Sequence, residues 1–96
     1  PRMPRIEVDC FATVRDGATV YRMRVHDVSQ GGVKLETAVV LTQGSDLVVS
    51  LPGLDPQPAA VRWTEAGHLG VTFNRLLPLT ELVAWLKAMR EQLRAA

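Results

Sequence analysis

Apolar and polar positions alternate with the strand period over most of the chain. From Ile6 to Val14, the residues Ile6, Val8, Cys10, Ala12 and Val14 share one face, and Glu7, Asp9, Phe11 and Thr13 share the other. Arg15-Asp16-Gly17 then supplies turn chemistry, which predicts a hairpin. The second arm, Thr19 to Val28, places Tyr21, Met23 and Val25 inward against Arg22, Arg24 and His26, before Asp27-Val28-Ser29-Gln30-Gly31-Gly32 turns the chain. Val33, Leu35 and Thr37 open a third strand. After a loop at residues 40–44, Leu47, Val49 and Leu51 form a fourth, closed by Pro52-Gly53 with Pro56 and Pro58. Val61 and Trp63 alternate with Arg62 and Thr64, Ala66-Gly67 makes a turn, and Leu69, Val71 and Phe73 complete a sixth strand.

Six short strands at a spacing of roughly 8 to 12 residues are the pattern of an antiparallel sandwich or barrel, so the fold class is all-β. The period changes after Asn74. Pro78 suits a first helical turn and Thr80 a cap. Leu79, Leu82, Leu86, Met89 and Leu93 recur at steps of three and four, with Val83 and Trp85 flanking them. One amphipathic helix is therefore predicted, its stripe lying against the barrel or its open end, because an isolated helix of this length is marginal in water. The organisation read from the pattern is an arm at residues 1–5, a barrel at 6–74 and a helix at 78–94.

Composition narrows the function classes. A chain of 96 residues makes one domain and buries only somewhat over 60% of its unfolded surface, which argues against a large internal cavity. Eleven Lys plus Arg against ten Asp plus Glu leave a net charge of +1. There is thus no general pull toward nucleic acid or anionic membrane, and any anion site must be local. Only Lys34 and Lys87 are lysines. The other cations are arginines, the residue that forks onto guanine edges and phosphates and stacks on planar rings. With 5% aromatic residues the chain offers few stacking platforms for RNA.

Cys10 is the one cysteine, which excludes an internal disulfide and a cysteine-based zinc site, and His26 and His68 lie too far apart in sequence to read as a metal pair. No run reaches the roughly 18 apolar residues of a membrane helix, and Pro1-Arg2-Met3-Pro4-Arg5 has no signal-peptide core behind it. A cytoplasmic location without membrane insertion is the expectation. The start at Pro1 reads as that of a trimmed chain or of a domain cut from a longer protein.

The stretch richest in chemistry is Asp27-x-Ser29-x-x-Gly32. Asp and Ser two apart in an extended backbone point the same way, and Gly32 allows a tight turn and close backbone approach. A carboxylate accepts from two adjacent N–H donors, which is what the Watson–Crick edge of guanine presents. The competing reading is purely local: Asp27 and Ser29 form Asx or Ser turns and Gly32 supplies a positive φ. Arg2 and Arg5 lie on an arm whose two prolines keep it out of the sheet until about Ile6. Such an arm could close over a guanine nucleotide, or be a solvated tail. Cys10 reads as a small buried hydrophobe, and Glu7 and Asp9 as solvated strand residues; no enzyme constellation appears.

Together, Asp27-Val28-Ser29-Gln30-Gly31-Gly32 and the arginine-bearing start resemble the PilZ domains, small bacterial receptors for cyclic di-GMP. The resemblance covers nearly the whole chain. It includes the family's [Asp or Asn]-x-Ser-x-x-Gly motif unaltered, the following Val33-Lys34-Leu35, and late strands that look like Val61-Arg62-Trp63 and Gly70-Val71-Thr72-Phe73. It implies a six-stranded antiparallel β-barrel with a C-terminal amphipathic helix. The family's other motif is Arg-x-x-x-Arg just before the first strand. With Arg5 as its second arginine the first position falls on Pro1, and Arg2 is the adjacent extra arginine. Three explanations stay open: trimming of the parent chain, substitution by Arg2 at a shorter spacing, or a degenerate member.

The resemblance implies a ligand, cyclic di-GMP, and no further cofactor. Arg5 and Arg2 would clamp guanine and phosphate, and Asp27, Ser29 and Gly32 would form the barrel side. Gly31, Arg24, Trp63 and Gly70 are peripheral candidates, Trp63 being read as a core residue on its strand's apolar face. The arm would order on binding and alter the surface offered to a downstream protein partner, from a monomer or weak dimer. The alternative is a degenerate domain that ignores the nucleotide and acts as a protein-protein interaction module.

Overall fold

The alternation closes into a barrel. A computed structural model describes residues 3–95, with side chains for residues 3–92. Its elements are β1 (Ile6–Asp16), β2 (Thr19–Val28), β3 (Gly32–Glu36), β4 (Asp46–Ser50), β5 (Gln57–Glu65), β6 (His68–Phe73) and α1 (Leu79–Ala95). The strands pair antiparallel in the order β1-β2-β3-β6-β5-β4, and β4 returns to β1 to close the sheet. Among the described residues closure leaves no free sheet edge, which suits a small all-β chain.

Alternation decides what fills the interior. Ala12, Val14, Met23, Val25, Val33, Leu35, Val49, Val61, Leu69 and Val71 are all buried there. The hairpin turns carry the backbone demands. Gly17 has φ +59° between β1 and β2, and Ala66 and Gly67 have φ +48° and +79° between β5 and β6, the pattern of a two-residue primed turn.

Helix α1 buries Leu82, Trp85 and Leu86 against the barrel, and the Trp85 indole donates to the Pro52 carbonyl at 2.6 Å. Leu79 and Val83, counted above with the apolar stripe, are more than half exposed, so the stripe is narrower than the sequence suggests. Thr80 is not the cap either. Helix α1 begins at Leu79, and the Pro78 carbonyl takes the first helical bond, from Leu82 N–H at 3.1 Å. Likewise β5 starts at Gln57 and includes Pro58, which pairs with Val48 and does not close β4. Among the described residues no helix is long and apolar enough to cross a membrane.

Candidate functional site

Two breaks in alternation build the candidate site. Along β2, strict alternation from Met23 and Val25 would turn Asp27 inward. The pairing of β2 with β3 slips between Val25 and Asp27, so Val28 takes the interior place opposite Val33 and Asp27 comes out opposite Lys34. Along β5 the pairing slips between Val61 and Trp63. Trp63 then lies opposite Gly70 on the outer face, half-buried, and is not the core residue that simple alternation predicts. Its ring fills the space over Gly70, where any Cβ would overlap the indole. Lys34 reaches over the same ring at 5.9 Å from its centroid.

Between β2 and β3 the chain turns through Ser29 to Gly32, closed by a bond from Ser29 N–H to the Gly32 carbonyl at 2.9 Å. The Ser29 hydroxyl accepts from Gly31 N–H at 3.2 Å and lies 3.5 Å from the Gly32 carbonyl, so the local Ser-turn reading is realised. Gly32 is required for a different reason than turn geometry. Its φ is not positive, and a Cβ there would overlap the Val71 carbonyl of neighbouring β6. Gln30 extends the turn toward α1: its carbonyl accepts from Leu77 N–H at 2.8 Å and its amide donates to the Leu77 carbonyl at 3.0 Å.

Asp27 forms no turn of its own. It is 7% exposed, and its carboxylate lies between Arg5 Nη1, 3.1 Å from Oδ1, and His26 Nδ1, 2.9 Å from Oδ2. Arg5 itself keeps about half its side chain exposed. The pairing of Glu7 with Asp27 sets this contact, since it brings the end of the arm alongside the carboxylate.

These residues border one open groove of about 570 Å³ on the outer face of β3, β6 and β5. Arg5, Ser29, Gly31, Gly32, Trp63 and Gly70, singled out in the sequence, all line it, and Asp27 joins through Arg5. Arg24 does not. It pairs with Asp9 and lies 3.8 Å from Glu36, outside the groove lining. Arg2 lies outside the described residues. Seven lining residues, among them Met3, Arg62, Thr72 and Leu76, were not singled out as site candidates in the sequence. Thr72 was legible as an outward strand position, whereas the Met3 contact with Gly31 depends on the path of the arm. The groove therefore combines one indole face and two guanidinium groups with a carboxylate held to one of them, a set suited to a planar, anionic, hydrogen-bonding ligand.

The sequence matches the PilZ domain family over residues 1–88. The chain belongs to the PilZ domain family. Solved PilZ folds resemble it closely in shape and distantly in sequence. The PlzA protein of Borreliella burgdorferi, solved in complex with c-di-GMP, superposes with a TM-score of 0.67 at 17% identity, over 84% of this chain and 37% of PlzA. The PilZ domain of CeSA from a cellulose synthesizing bacterium gives 0.62 at 14% identity, over 93% of this chain and 97% of that domain. This PilZ chain thus spans well under half the length of PlzA. No curated protein matches it by sequence.

Proposed function

We propose that this PilZ domain is a receptor module for cyclic di-GMP, held between the Met3–Arg5 arm and the Asp27–Gly32 segment. The observation that carries the reading is the convergence of Arg5, Ser29, Gly32 and Trp63 on one groove, with Asp27 bound to Arg5 beside it. Family membership and the c-di-GMP complex of PlzA support the choice of ligand.

Each group has a role that its chemistry suits. The Asp27 carboxylate accepts from the N–H pair of a guanine edge. Arg5 forks onto a guanine or a phosphate and stacks on a base, and Arg2 would add a second cation. Trp63, packed over Gly70, offers a ring face. The Arg5–Asp27 ion pair tethers the arm at one point, and a doubly anionic ligand would recruit the arginines and order the arm over the groove. A partner protein would read that changed surface.

Calorimetric titration of cyclic di-GMP, with GTP as control, tests the assignment. Asp27→Ala and Arg5→Ala should each weaken binding about tenfold or more, the loss of one charge-assisted hydrogen bond, while circular dichroism stays unchanged. Unchanged affinity in both variants would overturn it. Pro1, standing where the family motif has an arginine, favours the second reading, a domain that engages a protein and ignores the nucleotide. Absent binding both in this chain and in one carrying Pro1→Arg would overturn the receptor reading and leave the second.

A further inference from the structure

His26 and His68, distant in sequence, meet on the barrel surface. Their rings stand perpendicular at 86° with centroids 5.6 Å apart. Glu36 and His68 are direct partners in the β3–β6 pairing, with Glu36 Oε1 4.0 Å from His68 Nε2. One ligating atom from each of His26, Glu36 and His68 lies within 4.8 Å of the other two. All three side chains are half-buried or exposed at a surface open to solvent ions.

We propose that His26, Glu36 and His68 form a binding site for a divalent transition metal of the zinc class. Two imidazoles and one carboxylate are the donor set of zinc sites that keep a fourth position open, and imidazole favours such metals over the hard, oxygen-seeking cations. The surroundings complete the arrangement. His26 Nδ1 donates to Asp27 Oδ2 at 2.9 Å, which leaves the Nε2 lone pair for the metal and fixes the ring. This carboxylate–histidine contact is the outer-shell device that raises ligand basicity in metal sites. Asp27 is held in turn by Arg5 on its other oxygen, so the orienting carboxylate is itself anchored.

Zinc bonds of about 2.0 to 2.1 Å in tetrahedral array require donor atoms roughly 3.3 to 3.5 Å apart, so closure by up to about 1.5 Å from the present 4.8 Å is needed. Side-chain rotation supplies that, because the sheet register already holds Glu36 opposite His68. Arg24, 3.8 Å from Glu36 Oε2, is the competing cation, and Asp9 holds it on the far side. The site stands beside the proposed nucleotide groove, with the Asp27 carboxylate and the Arg5 that holds it common to both.

The test is a calorimetric titration of zinc chloride into the tag-free chain, with magnesium chloride as the hard-cation control and cobalt(II) absorption as a coordination probe. One equivalent of zinc should bind, magnesium should give no comparable heat, and cobalt should develop visible bands of a low-coordinate nitrogen–oxygen site. His26→Ala and His68→Ala should each weaken zinc binding at least about tenfold with the circular dichroism unchanged, and Asp27→Asn should weaken it about tenfold. Zinc should also raise the thermal midpoint of the parent chain and not of the His26→Ala, His68→Ala double variant. Absence of zinc binding, or an affinity equal in parent and double variant, would overturn the site.

Discussion

Gly32 carries no side chain because the Val71 carbonyl occupies the place where one would go. Backbone cannot step aside as a flexible side chain does, so Gly32→Ala should cost about 3 kcal/mol and lower the thermal midpoint by roughly 15 °C in a domain of this size. Thermal unfolding followed by circular dichroism reads the shift. A small change would show that β3 and β6 are less closely packed than they stand here. The motif at Asp27, Ser29 and Gly32 was legible in the sequence, but the reason for Gly32 was not, since it depends on a strand nearly forty residues further along. The histidine pair was illegible for the same reason: sequence distance says nothing about strands that become neighbours only on closure. Cys10 shows the opposite case, a core position read correctly from phase alone. Burial, and secondarily the charge of Asp9, push its thiol above the ordinary value of 9.0. The unfolded thiol therefore ionises first, so Cys10 contributes stability that is intact below pH 9.0 and is lost as pH rises through the higher folded-state value. Urea unfolding of the parent and Cys10→Ala between about pH 8 and about pH 10 should show the parent losing more stability than the variant.

At the scale of elements, strict period two located all six strands and misplaced Trp63, which lies next to a slip in pairing. Trp63 reads as core on alternation and stands outside because β5 carries one extra residue between Val61 and Trp63. Asp27 turns to the outer face of the barrel by the matching slip in β2, where Arg5 and His26 cover it. Bulges leave no periodic signal, since they are selected by cross-strand geometry and not by local propensity. Turns were easier. Ala66-Gly67 reads as a two-residue turn from the flanking alternation, and both residues adopt positive φ. Ala66 pays for that conformation, as an L-residue with a Cβ and no side-chain hydrogen bond in the left-handed region. Ala66→Asn should therefore stabilise the β5–β6 hairpin by about 0.5 to 1 kcal/mol, seen as a higher urea midpoint with an unchanged slope. A lower midpoint would contradict the primed-turn geometry.

For the whole molecule, the radius of gyration of 12.8 Å and a net charge of +1 describe a small barrel with no strong overall field. Recognition of an anion must then come from a local arrangement, and the groove supplies one where the arm, the Ser29–Gly32 turn and the outer face of β3, β6 and β5 meet. Solved PilZ folds at 14% and 17% identity share this architecture, which shows how little of the sequence the barrel itself prescribes. Nuclear magnetic resonance titration with cyclic di-GMP tests the central claim most directly, because it reports both binding and place. The expected result is saturable shift changes at the amides of Ser29, Gly31, Gly32 and Gly70 and at the Trp63 indole, with the helical residues Val83, Lys87 and Arg90 unmoved. No changes at saturating ligand, or changes confined to the helix, would contradict it.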